Sequence, residues 1–438
     1  MESNNFMDTW MDEDRISTAN LFVRQTVTIV GGAGHIGLPL STLIADSGHI
    51  ANVWDTDDIK IRKMFKNGYP YKENDGGEVV NKFHELLHLR LLFNSEDAFR
   101  KSSTIVVTLG TPIDSELDVP DTSQLESFIE QNFYTLLNIK IKPLIILRST
   151  LYPGATEIIA KILERKLKWT EGRHYNLVFA PERIAQNNGF REIKELPQIV
   201  GSFNEEGANL ARTFFHSIGV GTVLDTGVRE AEYAKLMTNM YRYVTFGLAN
   251  EFYKMGFEDR VDVHKAIEIA NFDYPRMNLP KPGSNVGGPC LFKDGKFFLS
   301  NDNGGSIINS AHWVNQSMPN WIISKIEWMN EFIHKPNNVL ILGEAFKAES
   351  DDTRHSLTHK MKRLCELKGW GVDIYDPYTK NNKELYWKTY NVVIVMTPHE
   401  LFNTDQYWNS FSDNILIIDP WKHLEISKED NYGIYMYK

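Results

Sequence analysis

Residues 26–57, TVTIVGGAGHIGLPLSTLIADSGHIANVWDTD, narrow the possible folds of this chain more than any other stretch. Val27 to Val30 is a β-branched run that suits a buried strand. Glycines then allow a tight turn, and Leu38 to Ser47 carries apolar residues at helical spacing. Gly48 ends that helix, and IANVWD supplies a second strand. Strand, crossover helix and strand make a βαβ unit, which calls for a parallel sheet. Further apolar strands are expected at residues 103–110, 142–150 and 175–182, with helical stretches between them.

The turn inside that unit reads GAGHIG, residues 32–37, and an acid, Asp55, closes the second strand. A bare glycine pattern is weak, but strand, turn, helix and acid together point to a dinucleotide. Gly32 is read as permitting the tight turn, Gly34 as admitting a pyrophosphate, and Gly37 as letting helix and strand pack closely. His35 and Ile36 complete the turn, the His35 ring being read as packing or surface. The open helix N-terminus offers N–H groups to phosphate. Asp55 would accept from the ribose hydroxyls and repel a 2′-phosphate, so NAD is expected rather than NADP. A glycine turn that binds nothing is the alternative.

Composition limits the classes of function. The 438-residue chain is 42% hydrophobic and 24% charged, ordinary values for a folded protein of two or three domains. A formal net charge of −10 argues against a general nucleic-acid binder. Two cysteines, Cys290 and Cys365, cannot build a disulfide framework and fit a reducing compartment. No apolar run reaches the ~20 residues a membrane span needs. The acidic first 22 residues lack an apolar core, so they are read as a poorly ordered extension and the protein as cytoplasmic. No metal site is expected.

The texture changes near residue 226. Residues 226–258 hold no proline and their apolar positions recur at three and four, as in one long helix. A shorter helical segment follows through VDVHKAIEIANF. A loop rich in Pro and Gly then delivers Cys290. From about residue 319 the alternation returns in NNVLILG, a helix around residues 356–369, VDIYDP, NVVIVMTP and NILIIDP. The expected fold class is α/β, with two Rossmann-like doubly wound domains joined by a long central helix and a small helical domain. The expected boundaries are an extension at 1–22, an NAD-binding domain at 23–222, a central helical domain at 223–318 and a C-terminal α/β domain at 319–438.

On the long helix, Lys235 and Asn239 are four apart and share a face. Such a pair is usually solvated, yet Tyr233, Leu236, Met237 and Met240 make this stretch too apolar for full exposure. A lone cysteine such as Cys290 is usually a small buried hydrophobe. Its glycine-rich approach and the Lys293–Asp294 pair behind it raise the other possibility, a nucleophile.

These residues resemble the UDP-glucose/GDP-mannose (nucleotide-sugar 6-) dehydrogenase family. The resemblance runs through GGAGHIGLPL, LGTP, RSTLYPGATE, PERIAQNNGFREIKELPQIVG, EAEYAKLMTNMYR, LANE, YPR, PGSNVGGPCLFKD and LGEAFKAESDDTR, in that order. It implies oxidation of a sugar C6 alcohol to a carboxylate with two NAD in turn, through a thiohemiacetal and a thioester on Cys290. It further implies that Lys235 and Asn239 stabilise an oxyanion, and that Asp294 with Thr150 positions water or acts as a base. Glu182 is implied as the base for thioester hydrolysis, with Thr111 and Glu157 near the cofactor. Arg276 would reach a substrate across a dimer interface, while Gly287, Lys347 and Arg354 would hold the sugar nucleotide. Other readings stay open: Glu182 as a helix-start acid, Thr150 as a strand-end cap, Lys347 and Arg354 as partners of Asp351 and Asp352.

The chain departs from many acetamidosugar members, having Pro289 before the cysteine and DGKFF after the lysine. PERIAQNNG, with Gln186 in place of an acid, resembles that branch more than the glucose and mannose enzymes. The expected substrate is a UDP-N-acetylhexosamine, with UDP-glucose or GDP-mannose as alternatives. A two-electron dehydrogenase of the 6-phosphogluconate or 3-hydroxyacid type and a non-catalytic sugar-nucleotide binder are the competing classes. The expected partners are the nucleotide sugar and a second copy of the chain, with no nucleic acid and no membrane.

Overall fold

The computed structural model describes residues 24–71, 75, 77–111, 121, 123–139, 141–185, 188–299, 305–333, 338–382, 385–404, 408, 411, 415–424 and 434–437. The expected extension at 1–22, Gln186 and the Cys290 thiol lie outside what is described.

The first sheet has eight strands: β1 (Thr26–Val30), β2 (Ile50–Trp54), β3 (Leu89–Leu92), β4 (Thr104–Val107), β5 (Leu144–Leu147), β6 (Asn176–Phe179), β7 (Gln198–Ser202) and β8 (Val223–Gly227). Their order is β3-β2-β1-β4-β5-β6-β7-β8. The first six are mutually parallel, as expected from the βαβ pattern. β7 pairs with β6 antiparallel and carries β8 parallel to itself, so the sheet is mixed. The sequence reading missed β3, β7 and β8. β3 and β8 are short edge strands with partly exposed residues, too brief and too polar to show a buried run. β4, β5 and β6 are buried throughout, since helices cover both faces.

The second sheet is β9 (Asn338–Leu342), β10 (Gly371–Tyr375), β11 (Val392–Val395), β12 (Ile415–Ile418) and β13 (Ile434–Tyr437), in the order β10-β9-β11-β12-β13. Four strands are parallel, and β13 closes the edge antiparallel to β12. Both sheets therefore reverse their strand order at one place, between β1 and β4 and between β9 and β11. Ligands of such sheets bind beyond the strand ends at that place.

Between the sheets lies the long helix Val228–Asp259, close to the expected span. A second long helix, Ser306–Ile333, crosses it where Gly247 meets Ala311. A Cβ on Gly247 would stand 2.8 Å from that of Ala311, so only glycine allows this approach. The expected boundary at 318/319 falls inside Ser306–Ile333, at Pro319. Ile322, Ile323 and Ile326 of its second half pack into the core of the second sheet. One helix thus serves both regions, and Pro319 inside it removes only one rung of its ladder.

A further difference concerns Cys290. The glycine-rich loop ends at Gly288, and Cys290 is the second residue of the helix Pro289–Leu299 rather than part of the loop. Proline is favoured at a first helical position, where its missing N–H has no partner to lose and its φ is already set.

Candidate active site

The cofactor turn follows β1. Gly31, not Gly32, takes the left-handed conformation, with φ of +76°. Gly32 is required sterically, because a Cβ there would lie 2.8 Å from the Ile29 carbonyl and 2.9 Å from Val53. A Cβ on Gly37 would stand 2.5 Å from the Gly31 carbonyl, so helix Gly37–Asp46 sits directly on the turn. Gly34 is open apart from Gly31, which suits close approach by a ligand backbone. No side chain caps the helix at Ile36. Asp55, half-buried just after β2, accepts from Ala33 N at 3.2 Å and from Asp57 N at 3.0 Å. The cradle that added side chains would fill and the uncapped helix start fit a dinucleotide.

His35 stacks on Tyr71 with ring centroids 3.9 Å apart. Burial lowers its pKa, with Arg354 adding to the shift and Asp352 opposing it. Arg354, expected with Lys347 on the sugar nucleotide, thus lies near enough to His35 of the cofactor turn to act on its charge. Its guanidinium is held by Asp352 at 2.9 and 2.6 Å. The loop folds back on itself where Phe346 N donates to the Asp352 carbonyl at 3.0 Å.

Lys235 and Asn239 do share a face of the long helix and are both more than nine-tenths buried. Asn239 Nδ2 donates to Asp294 Oδ2 at 2.6 Å. Asp294, fully buried on the helix that Cys290 opens, keeps Oδ1 without a hydrogen-bond partner among the described residues. Burial raises its carboxyl pKa, and Lys235, Lys293 and the Asn239 bond oppose the rise. Lys293 Nζ reaches Thr111 Oγ1 at 3.3 Å, and Thr111 Oγ1 donates to the Thr150 carbonyl at 2.7 Å. One bonded chain therefore brings Thr150 and Thr111 of the first domain to the Lys293–Asp294 pair of the central region.

Two expected residues are engaged in ion pairs, and a third is exposed. Glu182 pairs with buried Arg148, and its other oxygen accepts from Arg183 N at 2.8 Å and Ile184 N at 3.2 Å. Breaking such a pair costs about 3–5 kcal/mol, so Glu182 has a structural task whatever else it does. Glu157 forms a two-pronged surface pair with Arg229 at 2.6 and 2.8 Å, which holds its carboxyl low. Arg276 is exposed, its guanidinium 4.8 Å from the Tyr274 ring centre.

Two groups escaped the sequence reading. Glu232, wholly buried, accepts from Gly154 N at 2.6 Å and from Thr156 N and Oγ1 at 2.8 and 2.6 Å. It ties the start of helix Ala155–Leu167, and with it the loop of Thr150, to the helix of Lys235. An acid between core residues Ala231 and Leu236 was the available sign. Arg242 continues the Lys235–Asn239 face by one turn. Burial lowers the Lys347 ammonium pKa, Glu192 opposes the shift, and Arg242 adds to it. Lys347 thus stands where all three parts of the chain meet.

Among the described residues, no cluster of His, Cys, Asp and Glu is placed to hold a metal ion. No described helix is long and apolar enough to cross a membrane.

Fold and turn define a dinucleotide-dependent class with a second ligand-binding sheet. Three models of the UDP-glucose/GDP-mannose dehydrogenase family match in order: the NAD binding domain at residues 25–219, the central domain at 229–317 and the UDP binding domain at 340–425. The chain belongs to this family and is an NAD-dependent oxidoreductase. It is 31% identical over 401 residues to the UDP-N-acetyl-D-mannosamine dehydrogenase of Pyrococcus horikoshii, covering 89% of this chain and 93% of that one. The enzyme of the same name from Methanocaldococcus jannaschii is 28% identical over 88% of this chain and 87% of its own. A solved UDP-D-ManNAc dehydrogenase structure from Pyrococcus horikoshii superposes with a TM-score of 0.83 at 29% identity, covering 93% of this chain and 99% of that one. The UDP binding domain supports a nucleotide-sugar substrate.

Proposed function

We propose that this protein oxidises the C6 alcohol of a UDP-N-acetylhexosamine, UDP-N-acetylmannosamine first, to the uronate. The observation that carries the reading is the buried Lys235–Asn239–Asp294 group beside the helix that Cys290 opens. The names of the relatives support the sugar. NAD held at Gly32, Gly34, Gly37 and Asp55 would accept the two hydrides, one molecule after another. The C6 hydroxyl first loses its proton to a base as it becomes the aldehyde. The Cys290 thiolate then adds to the aldehyde carbon, and the new C–S bond leaves an oxyanion for Lys235 and Asn239 to stabilise. The resulting thiohemiacetal still carries a hydrogen on carbon, so a second oxidation yields a thioester. Water adds, the C–S bond breaks, and the thiol regains its proton as the carboxylate leaves.

Asp294, its carboxyl pKa raised by burial and one oxygen left open beside Lys235, is assigned the exchange of a proton with the substrate, with Thr150 positioning water. We assign cofactor binding to the region of the first sheet, the chemistry to the central helices, and the sugar nucleotide to the second sheet together with the loop of Gly287, with Lys347 at that site. Arg354 is assigned to the cofactor side. A cytoplasmic setting suits a chain with two cysteines.

A homodimer is part of this reading. Tyr233, Met237, Tyr241, Leu248, Phe252 and Met255 form an apolar stripe along the long helix, each 39–59% exposed. A stripe of that extent marks a covered surface, and exposed Arg276 would serve the neighbouring site.

The test counts NADH formed per nucleotide sugar consumed, with Cys290→Ser as control. A ratio near two, with turnover lost in the control, is expected from the thioester route. A ratio near one that the serine leaves unchanged refutes it.

A further inference from the structure

Residues 282–288 form a loop, yet every one of them is buried. Buried loops are uncommon because their polar groups need partners. Here nearly all the partners belong to the second sheet's strand ends and the loops beyond them. Ser284 Oγ donates to the carbonyl of Val395, the last residue of β11, at 2.8 Å. Asn285 is 2% exposed, and its Nδ2 faces the Ala345 carbonyl at 3.0 Å, Ser356 Oγ at 3.0 Å and Thr397 Oγ1 at 3.2 Å. Its Oδ1 accepts from Leu357 N at 2.7 Å, at the start of helix Thr358–Leu367. Gly288 N, one residue before the helix of Cys290, donates to the His355 carbonyl at 3.3 Å.

Ala345 follows β9 and Thr397 follows β11. Asn285 therefore fills the place beyond the strand ends where this sheet reverses its order. In the first sheet the equivalent place, between β1 and β4, is the cofactor crevice. Asn285 Oδ1 even meets an N–H at the start of the next helix, as a phosphate oxygen would.

We propose that the ligand crevice of the second sheet is a socket for the chain's own loop, and that Asn285 is the positioning residue that seats it. Seating at Asn285 and Gly288 sets where the helix Pro289–Leu299 begins, and so where residue 290 stands relative to Lys235, Asn239 and Asp294. The nucleotide of the substrate then binds at the rim of this sheet, beside Lys347, rather than in the crevice.

This inference rests on Cys290 as the nucleophile. The test compares wild type with Asn285→Ala, Ser356→Ala and Cys290→Ser in the full chain, on UDP-N-acetylmannosamine. Melting temperature, kcat, the KM for NAD, NADH per sugar and aldehyde trapped by semicarbazide are read together. Asn285→Ala should lower kcat by about 10- to 100-fold, the cost of roughly 1 Å of misplacement. The KM for NAD should stay as in wild type. NADH per sugar should fall as trapped aldehyde rises, a change that lost stability alone would not produce. Ser356→Ala, which removes one partner and leaves the loop intact, should act in the same direction but less.

A folded Asn285→Ala protein with wild-type kcat and stoichiometry overturns the proposal. If that variant does not fold, unchanged kcat and stoichiometry in Ser356→Ala overturn it. In both cases the wild type still forms two NADH. A wild type that forms one, indifferent to Cys290→Ser, overturns the functional reading and this inference together.

Discussion

The two sheets use the same device to opposite ends. In each, a left-handed glycine leaves the first strand beside a threonine just past the end of the neighbouring strand: Gly31 at Thr108 and Gly343 at Thr397. In each, an acid directly follows the second strand and accepts from the turn. Asp55 takes one N–H of its turn and stays half-buried. Asp376 is wholly buried and takes Glu344 N at 2.7 Å, Ala345 N at 2.9 Å, His399 Nε2 at 3.1 Å and Tyr378 N at 2.9 Å. Glu349 N donates to His399 Nδ1, so Nε2 is the ring's donor. One acid has capacity left for a ribose, while the other is fully occupied inside the protein. Topology places the carboxylate, and its competitors decide whether it is a binding group or a lock.

The largest expected effect is on that lock. Asp376→Ala leaves three backbone N–H groups and His399 Nε2 without this acceptor and should cost about 3–5 kcal/mol of stability in urea unfolding, as loss of a buried charged partner does. A comparable loss in Asp55→Ala would break the comparison.

Gly343→Ala should come next. Its φ is +91°, and a Cβ would lie 2.3 Å from the Thr397 Cβ. Strain and overpacking together should cost roughly 2–4 kcal/mol. Gly31→Ala should be milder in the same denaturation experiment, because its Cβ meets the Thr108 hydroxyl at 3.0 Å.

Asp55→Ala should leave the unfolding midpoint nearly in place and raise the KM for NAD by about 10- to 100-fold, since a hydrogen bond to a charged group is worth ~1.5–3 kcal/mol. Discrimination against NADP should weaken as the negative charge goes. Steady-state kinetics with both cofactors reads this directly.

The smallest effect is on pH dependence. Burial alone would raise the Asp376 carboxyl, but the His399 bond and the backbone N–H groups hold it below the usual range. Its contribution to stability is therefore complete above the unfolded value of about 3.9. It is lost as pH falls through the lower folded value. Asp376→Asn should flatten that acid limb, followed by the fluorescence of Trp387 and Trp408 in this domain. An unchanged limb would mean that other carboxylates set it.

Several parts were legible because they follow from local chemistry. The βαβ unit, the long helix and the shared face of Lys235 and Asn239 depend on residue spacing alone. The helix holding Cys290 was missed because proline and glycine nearby resemble a loop, although proline opens helices well. β7 and β8 were missed because an antiparallel return is set by pairing partners. Glu157 and Glu182 could not be separated from free carboxylates, since Arg229 and Arg148 lie 72 and 34 residues away in the chain.

The sequence by itself determined that two strand–helix alternations would form, and that the turn and Asp55 of the first suit a dinucleotide. Only the tertiary structure decided that the second acid is locked, that Asn285 fills the second crevice, and that Arg354 acts on His35 of the cofactor turn. The physical reason is that a polar group's availability depends on which other groups reach it. Those arrive from distant parts of the chain, where no local pattern records them.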